Sequence, residues 1–279
     1  MQILESDSMR TVVTVTTDFG LDDAYVASMK GVILSINNGA QIIDICHNVE
    51  PQNIAQGAFV FGGSYRYFPQ GTVHIVVVDP GVGGIRKPIL MKANNTFFVA
   101  PNNGVLSNVL WPNVPLNYDT TPQEIILPGE IEVVEITSSC YWLSPVSPIF
   151  HGRDIFAPVA AHLSLGVPPC DLGVPMESIL SFLPLAPHNY ANEVLVGHVV
   201  YIDHFGNMIT DIIDSELVND NVSVEIAGRC IEGLSCSYEA GSDLLAIIGS
   251  DGRLEIAAKN SNAARMLNGK IGDEVRVRR

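Results

Sequence analysis

The sequence predicts an α/β protein: an N-terminal α/β/α sandwich with a mostly parallel sheet, followed by a smaller all-β barrel. Three observations carry this. From residue 11 to about residue 166, short β-branched runs alternate with stretches whose apolar residues recur at helical spacing. Alternation of that kind builds a parallel sheet covered on both faces. Beyond residue 183 the helical spacing stops and six short apolar runs follow, divided by turn residues, which is the pattern of a small barrel.

TVVTVT (11–16) reads as the first strand, ending at Thr17-Asp18-Phe19-Gly20. Asp22 and Asp23 stand where a helix N-cap belongs. Tyr25, Met29, Val32, Ile33 and Ile36 then repeat at helical spacing up to the Asn-Asn-Gly stop at 37–39. QIIDIC (41–46) is a second strand and 53–68 a second helix, with Gly62 and Gly63 weakening its middle. TVHIVVV (72–78) reads as a buried third strand in which His74 is a core histidine, TFFVA (96–100) as a fourth, and 154–166 as a later helix capped by Asp154. Domains are expected at 10–183 and 194–279. The proline-bearing, aperiodic stretch 184–193 is expected to be a linker.

The 279 residues are 47% hydrophobic and 16% charged, enough for a sizeable core. No stretch approaches the ~20 uncharged apolar residues of a spanning helix. The first residues lack the pattern of a secretory signal and read as a ragged lead-in, with Met9 an alternative start. A cytoplasmic protein is expected. The formal net charge of −15 and the absence of a Lys/Arg cluster argue against nucleic acid as a partner. Five cysteines form no CxxC and are read as small buried hydrophobes rather than a zinc site.

In open parallel sheets, ligands bind beyond the carboxyl ends of the strands. Here the first strand ends at Asp18, the third at Asp79 and the fourth at Pro101-Asn102-Asn103-Gly104, three polar endings in one predicted sheet. The stretch VVVDPGVGGIR (76–86) is the most pointed of them. As a phosphate loop it fails: no Lys-Ser/Thr follows the glycines, and Arg86 stands where a dinucleotide fingerprint needs its last glycine. The alternative is that three glycines let the loop fold back and bring Arg86 to Asp79, where a guanidinium orients a carboxylate. That pair serves either a site or merely the fastening of a surface loop. In SPIFHGRDIFAP (147–158), His151 adds a group suited to proton transfer near neutral pH.

TTDFGLDDAY (16–25), VVDPGVGGIR (77–86), FVAPNNG (98–104), FHGRD (150–154) and IDHFGNMITD (202–211), in this order, make the sequence resemble the S-adenosyl-L-methionine (SAM) hydroxide adenosyltransferases. These are relatives of the fluorinating and chlorinating SAM enzymes. The resemblance runs from about residue 11 to the end. It implies an α/β domain, a C-terminal barrel, and a homotrimer with SAM between the large domain of one subunit and the barrel of its neighbour. It further implies hydrolysis of SAM to adenosine and L-methionine, with SAM as substrate and neither cofactor nor metal. The family's Asp-Arg-His set falls on Asp79, Arg86 and His151. Asp18 falls on the group that bonds the ribose hydroxyls. Asp23, with Asp22 beside it, faces the methionine ammonium. The resemblance likewise implies that Asp203 and Ser250 contact methionine, that Phe205 packs on adenine, and that Asn207 reads the adenine edge.

Departures from the pattern are Asp251, where the fluorinating relatives carry an arginine, Gln52, where they carry an aromatic, and Lys259-Asn260. A SAM halogenase is the alternative reading, but a carboxylate at residue 79 beside the attacking position repels a halide. A SAM-binding sensor without turnover is a second alternative, and it has no need of the Asp79, Arg86 and His151 set.

Overall fold

The computed structural model describes residues 11–188, 191, 193–217, 222–241 and 243–278. The expected lead-in before residue 11 and positions 189, 190 and 192 of the expected linker lie outside the described residues. Two compact units emerge, Thr11–Pro112 with Thr120–Leu183, and Asn113–Asp119 with the residues from Pro184 on.

In the first unit the elements run β1 (Val12–Thr17), α1 (Tyr25–Ile36), β2 (Gln41–Cys46), α2 (Ile54–Gly62), β3 (Val73–Val77), β4 (Pro88–Ala93), β5 (Thr96–Pro101), α3 (Ser107–Leu110), β6 (Gln123–Ile126), β7 (Glu132–Ile136), α4 (Ala157–Ser164), β8 (Gly173–Met176) and β9 (Ser178–Ser181). The main sheet has the order β2-β1-β3-β5-β4-β7-β8. Strands β2, β1, β3 and β5 pair in parallel, and β4, β7 and β8 continue the sheet antiparallel. One face packs Val13, Val15, Ile75 and Val77 against Met29 and Ile33 of α1 and Val159, Ala160 and Leu163 of α4. The other packs Val76, Val78, Ile89 and Phe98 against Phe61 of α2 and Val109 and Leu110 of α3. Every residue of β3 is buried because both faces are covered.

Several local expectations are corrected. Asp22 and Asp23 do not cap α1, whose N-cap is Ala24 with no side-chain bond. The second helix stops at Gly62, Asn53 accepts the N–H of Gln56 as its cap, and Tyr65–Tyr67 form only a 3₁₀ turn. After Arg86 the chain forms β4, a strand absent from the sequence reading and inserted between β5 and β7. Asp154 lies inside a π-helical turn, Gly152–Phe156, leading into α4 rather than capping it. Its carboxylate instead accepts the Ser147 N–H at 2.8 Å and pairs with Arg153 at 2.6 Å. The cysteines are also misread. Cys140, Cys170, Cys230 and Cys236 are exposed and Cys46 is half-buried. His74 is a core histidine, fully buried and stacked on Phe98, and burial lowers its pKa to about 3.

The second unit holds β10 (Val194–Ile202), β11 (Met208–Ile213), β12 (Ser223–Ile226), β13 (Arg229–Glu232), β14 (Leu244–Ile248), β15 (Arg253–Ala258), helix α5 (Ala263–Leu267) and β16 (Glu274–Arg278). The antiparallel order β13-β12-β16-β10-β11-β15-β14 nearly closes on itself through a bridge between Leu234 and Ala246. Leu195, Val199, Met208, Val224, Leu254, Ile256, Val275 and Val277 fill its interior. The unit is not purely β, because α5 packs on the barrel through buried Ala263.

Two segments outside the barrel strands are held to this unit. Asn113–Asp119, which the sequence assigns to the first domain, clusters here because Leu116 bridges to Pro184 and Pro115 accepts the Leu185 N–H at 2.8 Å. The start of the expected linker is likewise docked. His188 Nδ1 lies 3.1 Å from both carboxylate oxygens of Glu216, and its Nε2 lies 3.5 Å from Asp211.

Candidate active site

The carboxyl ends of β1 and β3, neighbours in the sheet, carry Asp18 and Asp79. Asp79 leaves a fully buried strand, and its own side chain is only 5% exposed. Arg86 meets it across the glycine loop. Arg86 Nε donates to Asp79 Oδ1 at 2.9 Å and Oδ2 at 3.0 Å, and Nη2 donates to Oδ2 as well. The glycines make this return possible. A Cβ on Gly81 would stand 3.2 Å from Arg86 Cγ, and Gly83, at φ +74°, would drive a Cβ to 2.1 Å from the Pro148 carbonyl oxygen. The loop therefore packs against the backbone of the segment that carries His151.

His151 completes the cluster from 65 residues away: its Nδ1 lies 2.8 Å from Arg86 Nη2. Guanidinium nitrogens only donate, so Nδ1 accepts, and the imidazole is neutral with its proton on Nε2. Burial, then the Arg86 charge, push the His151 pKa below its ordinary value of 6.5. The guanidinium also lies over the ring of buried Phe156, 5.3 Å from its centroid. Arg86 thus joins a carboxylate, an imidazole and an aromatic face. Gly152 leaves room for Phe19 and Met29, since a Cβ there would come within 3.3 Å of both.

Asp18 is half-buried and accepts the Gln52 N–H at 2.7 Å, which Gln52 can offer because it holds a left-handed conformation, φ +67°. Its pKa is raised, by burial first and with a contribution from the charge of Asp79. Asp22 and Asp23 are exposed in the turn before α1. The third polar strand end plays no part in the cluster. Asn102 accepts the Leu180 N–H and Asn103 donates to the Val78 carbonyl, both at 2.8 Å, so these side chains fasten the fold.

In the second unit an open cavity of about 800 Å³ is lined by Asp203, Phe205, Asn207, Tyr238, Asn262 and Arg265, among others. Asp203 Oδ1 accepts the N–H groups of Phe205 at 2.9 Å and Asn207 at 2.8 Å, and Oδ2 accepts from Asn207 Nδ2 at 2.9 Å. These bonds hold the turn that lifts Phe205, 72% exposed, into solvent. Ser250 is exposed on the turn between β14 and β15 and is not among the lining residues. Asp251 pairs with Arg253 at 3.5 Å.

Sequence reasoning missed Tyr238, Asn262 and Arg265. Asn262 caps α5 by accepting the Arg265 N–H at 2.6 Å, and Gly206, at φ +87°, packs where any Cβ would strike Asn262. An Asn followed by Ala-Ala-Arg-Met-Leu is a helix-start signal that would have found two of the three.

Two family descriptions match the chain: SAM hydroxide adenosyltransferase N-terminal domain over residues 13–173, and the corresponding C-terminal domain over residues 197–276. A Thermus thermophilus protein named (R)-S-adenosyl-L-methionine hydrolase is 35% identical, over 94% of this chain and 97% of its own. A Nocardia brasiliensis protein named fluorinase is 26% identical, over 98% of each. The crystal structure of an uncharacterized conserved protein from Thermotoga maritima superposes with a TM-score of 0.83 at 36% identity, covering 96% of this chain and all of that one. The chain belongs to the SAM hydroxide adenosyltransferase family.

Proposed function

We propose that the protein hydrolyses SAM to adenosine and L-methionine, with water attacking ribose C5′ opposite the sulfonium. The observation that carries this is the Arg86 side chain bonded at once to Asp79 and His151. The oxygen of water forms a bond to C5′, the C5′–S pair leaves with sulfur as neutral methionine, and one proton is released. A sulfonium needs no acid to leave, so the protein has to align the water and take its proton. Alignment of this kind is worth up to ~7–11 kcal/mol.

In this reading Asp79 is the acceptor. Arg86 occupies one edge of its carboxylate and leaves lone pairs for the water. His151, whose Nδ1 is bonded to Arg86, offers its Nε2–H as the second contact to the water. A buried carboxylate at the attacking position also opposes halide entry, which separates this chain from the reaction its fluorinase relative is named for.

Asp18 bonds the ribose hydroxyls, with Asp23 and Asp22 toward the methionine ammonium. Phe205 and Asn207 take adenine, and Asp203 shapes their turn. Ser250 remains assigned to the methionine end. No metal or other cofactor takes part. The working form is a homotrimer in which the barrel of a neighbouring subunit covers the large domain, consistent with how far Phe205 projects. The protein acts in the cytoplasm.

Incubation with SAM in isotopically labelled water is expected to release adenosine and methionine in equal amounts, with the label in the adenosine 5′-hydroxyl. Unlabelled adenosine, or 5′-chloro-5′-deoxyadenosine in the presence of chloride, would refute the reaction. The name of the Thermus thermophilus relative specifies the (R) epimer at sulfur, so both epimers belong in that assay.

The pH dependence follows from His151. Its lowered pKa moves protonation of the imidazole to more acidic solution than an ordinary histidine needs, so the acid limb of kcat/KM should be centred below 6.5. An acid limb centred above 6.5 would contradict the bond from Arg86.

A further inference from the structure

Two buried side chains beside the cluster have no part in this mechanism: Thr17, fully buried at the end of β1, and His47, 4% exposed just after β2. They lie side by side because β1 and β2 are parallel neighbours ending at the same level. Thr17 Oγ1 lies 2.8 Å from His47 Nδ1, and His47 Nε2 lies 3.1 Å from Asp44 Oδ1. The Nε2–H is not aimed squarely at that oxygen, so this is a close polar contact rather than a straight hydrogen bond. Lys30 holds the other carboxylate oxygen at 2.6 Å.

Carboxylate, imidazole and hydroxyl in a row have the outline of a nucleophilic triad. Here the hydroxyl is wholly enclosed, so no substrate can reach it. What the row does touch is the turn that carries Asp18. Thr17 Oγ1 accepts the Phe19 N–H at 3.2 Å, and the His47 carbonyl accepts the Gly20 N–H at 2.8 Å. The bonds run in one consistent direction. Phe19 N–H donates to the threonine oxygen, the threonine hydroxyl donates to Nδ1, and Nε2–H faces Asp44. The turn from Thr17 to Gly20 is therefore held on both sides of Asp18, and the Gln52 N–H fixes the carboxylate itself.

We propose that Thr17 and His47 are positioning residues that set the Asp18 carboxylate for a vicinal diol. The inference rests on the ribose role given to Asp18 above. Buried hydrogen bonds of this type hold geometry because leaving one partner unsatisfied costs its full desolvation. Thr17→Val keeps the β-branched shape and removes only the hydroxyl, freeing the Phe19 N–H and stranding Nδ1.

The test is calorimetric binding of adenosine and of 2′,3′-dideoxyadenosine, which lacks the diol. The full-length wild type is expected to prefer adenosine. Thr17→Val should weaken adenosine binding about tenfold and leave the dideoxy ligand nearly unchanged, erasing the preference. Thr17→Ser and His47→Asn, which both retain a partner across the pair, should preserve it. Should Thr17→Val not fold, Thr17→Ala carries the same expectation.

A purely structural role would weaken both ligands alike, so a retained preference in a folded Thr17→Val or Thr17→Ala protein overturns the proposal. A wild type with no preference overturns the diol role of Asp18 and this pair with it. A wild type that prefers the diol but leaves SAM intact overturns only the hydrolysis.

Discussion

Asp79→Asn is expected to reduce SAM turnover by about 10²–10⁴-fold while leaving SAM binding within a few-fold of wild type, the range for removing a general base. The asparagine keeps the shape of the side chain and one acceptor for Arg86, but it cannot take a proton from water. Steady-state turnover paired with calorimetric SAM binding separates the two effects. Loss of binding in step with turnover would mean that Asp79 holds substrate, and the water-positioning role would fall. The prediction rests on burial: at 5% exposure, Asp79 has little competing solvent, so its contacts to Arg86 dictate where its remaining lone pairs point.

Arg86→Met should be costly in both stability and activity. The side chains of Arg86 and Asp79 are 9% and 5% exposed, and removing one partner of so enclosed a pair leaves an uncompensated charge, at about 3–5 kcal/mol. His151 Nδ1 loses its donor in the same step. Denaturant unfolding should therefore show a lower midpoint with an unchanged slope, and turnover should be lost. Arg86→Lys sharpens the test. A lysine restores the charge but cannot reach both carboxylate oxygens and the imidazole from one fixed plane. It should recover part of the stability and little of the rate. Lowered stability with wild-type turnover in a folded Arg86→Met protein would show that the pair is only a loop fastener.

Much of this was readable from local patterns, and the failures share a cause. A strand that is apolar but for His74 and runs out to a carboxylate can be read without a structure, because burial on both faces leaves no alternation to confuse it. The glycine loop was readable for the same reason: nothing else in the chain explains three glycines between Asp79 and Arg86. By contrast, Asp22, Asp23 and Asp154 were all read as helix caps. An aspartate before a helix looks the same in sequence whether it bonds the first turn, solvent or a neighbouring loop. The cysteines failed similarly, since their small apolar side chains carry no sign of which face they occupy. Helix α5 was missed because one turn is too short for periodicity to register.

The sequence by itself determined the two-part architecture, the first three strands, and the return of Arg86 onto Asp79, since each rests on a local pattern of residues. Tertiary structure alone decided that Arg86 also reaches His151, that Asn102 and Asn103 serve the fold instead of the site, and that Thr17 meets His47. Those contacts join residues whose separation along the chain carries no periodic signal, and they exist only once the sheet has set its strand ends side by side.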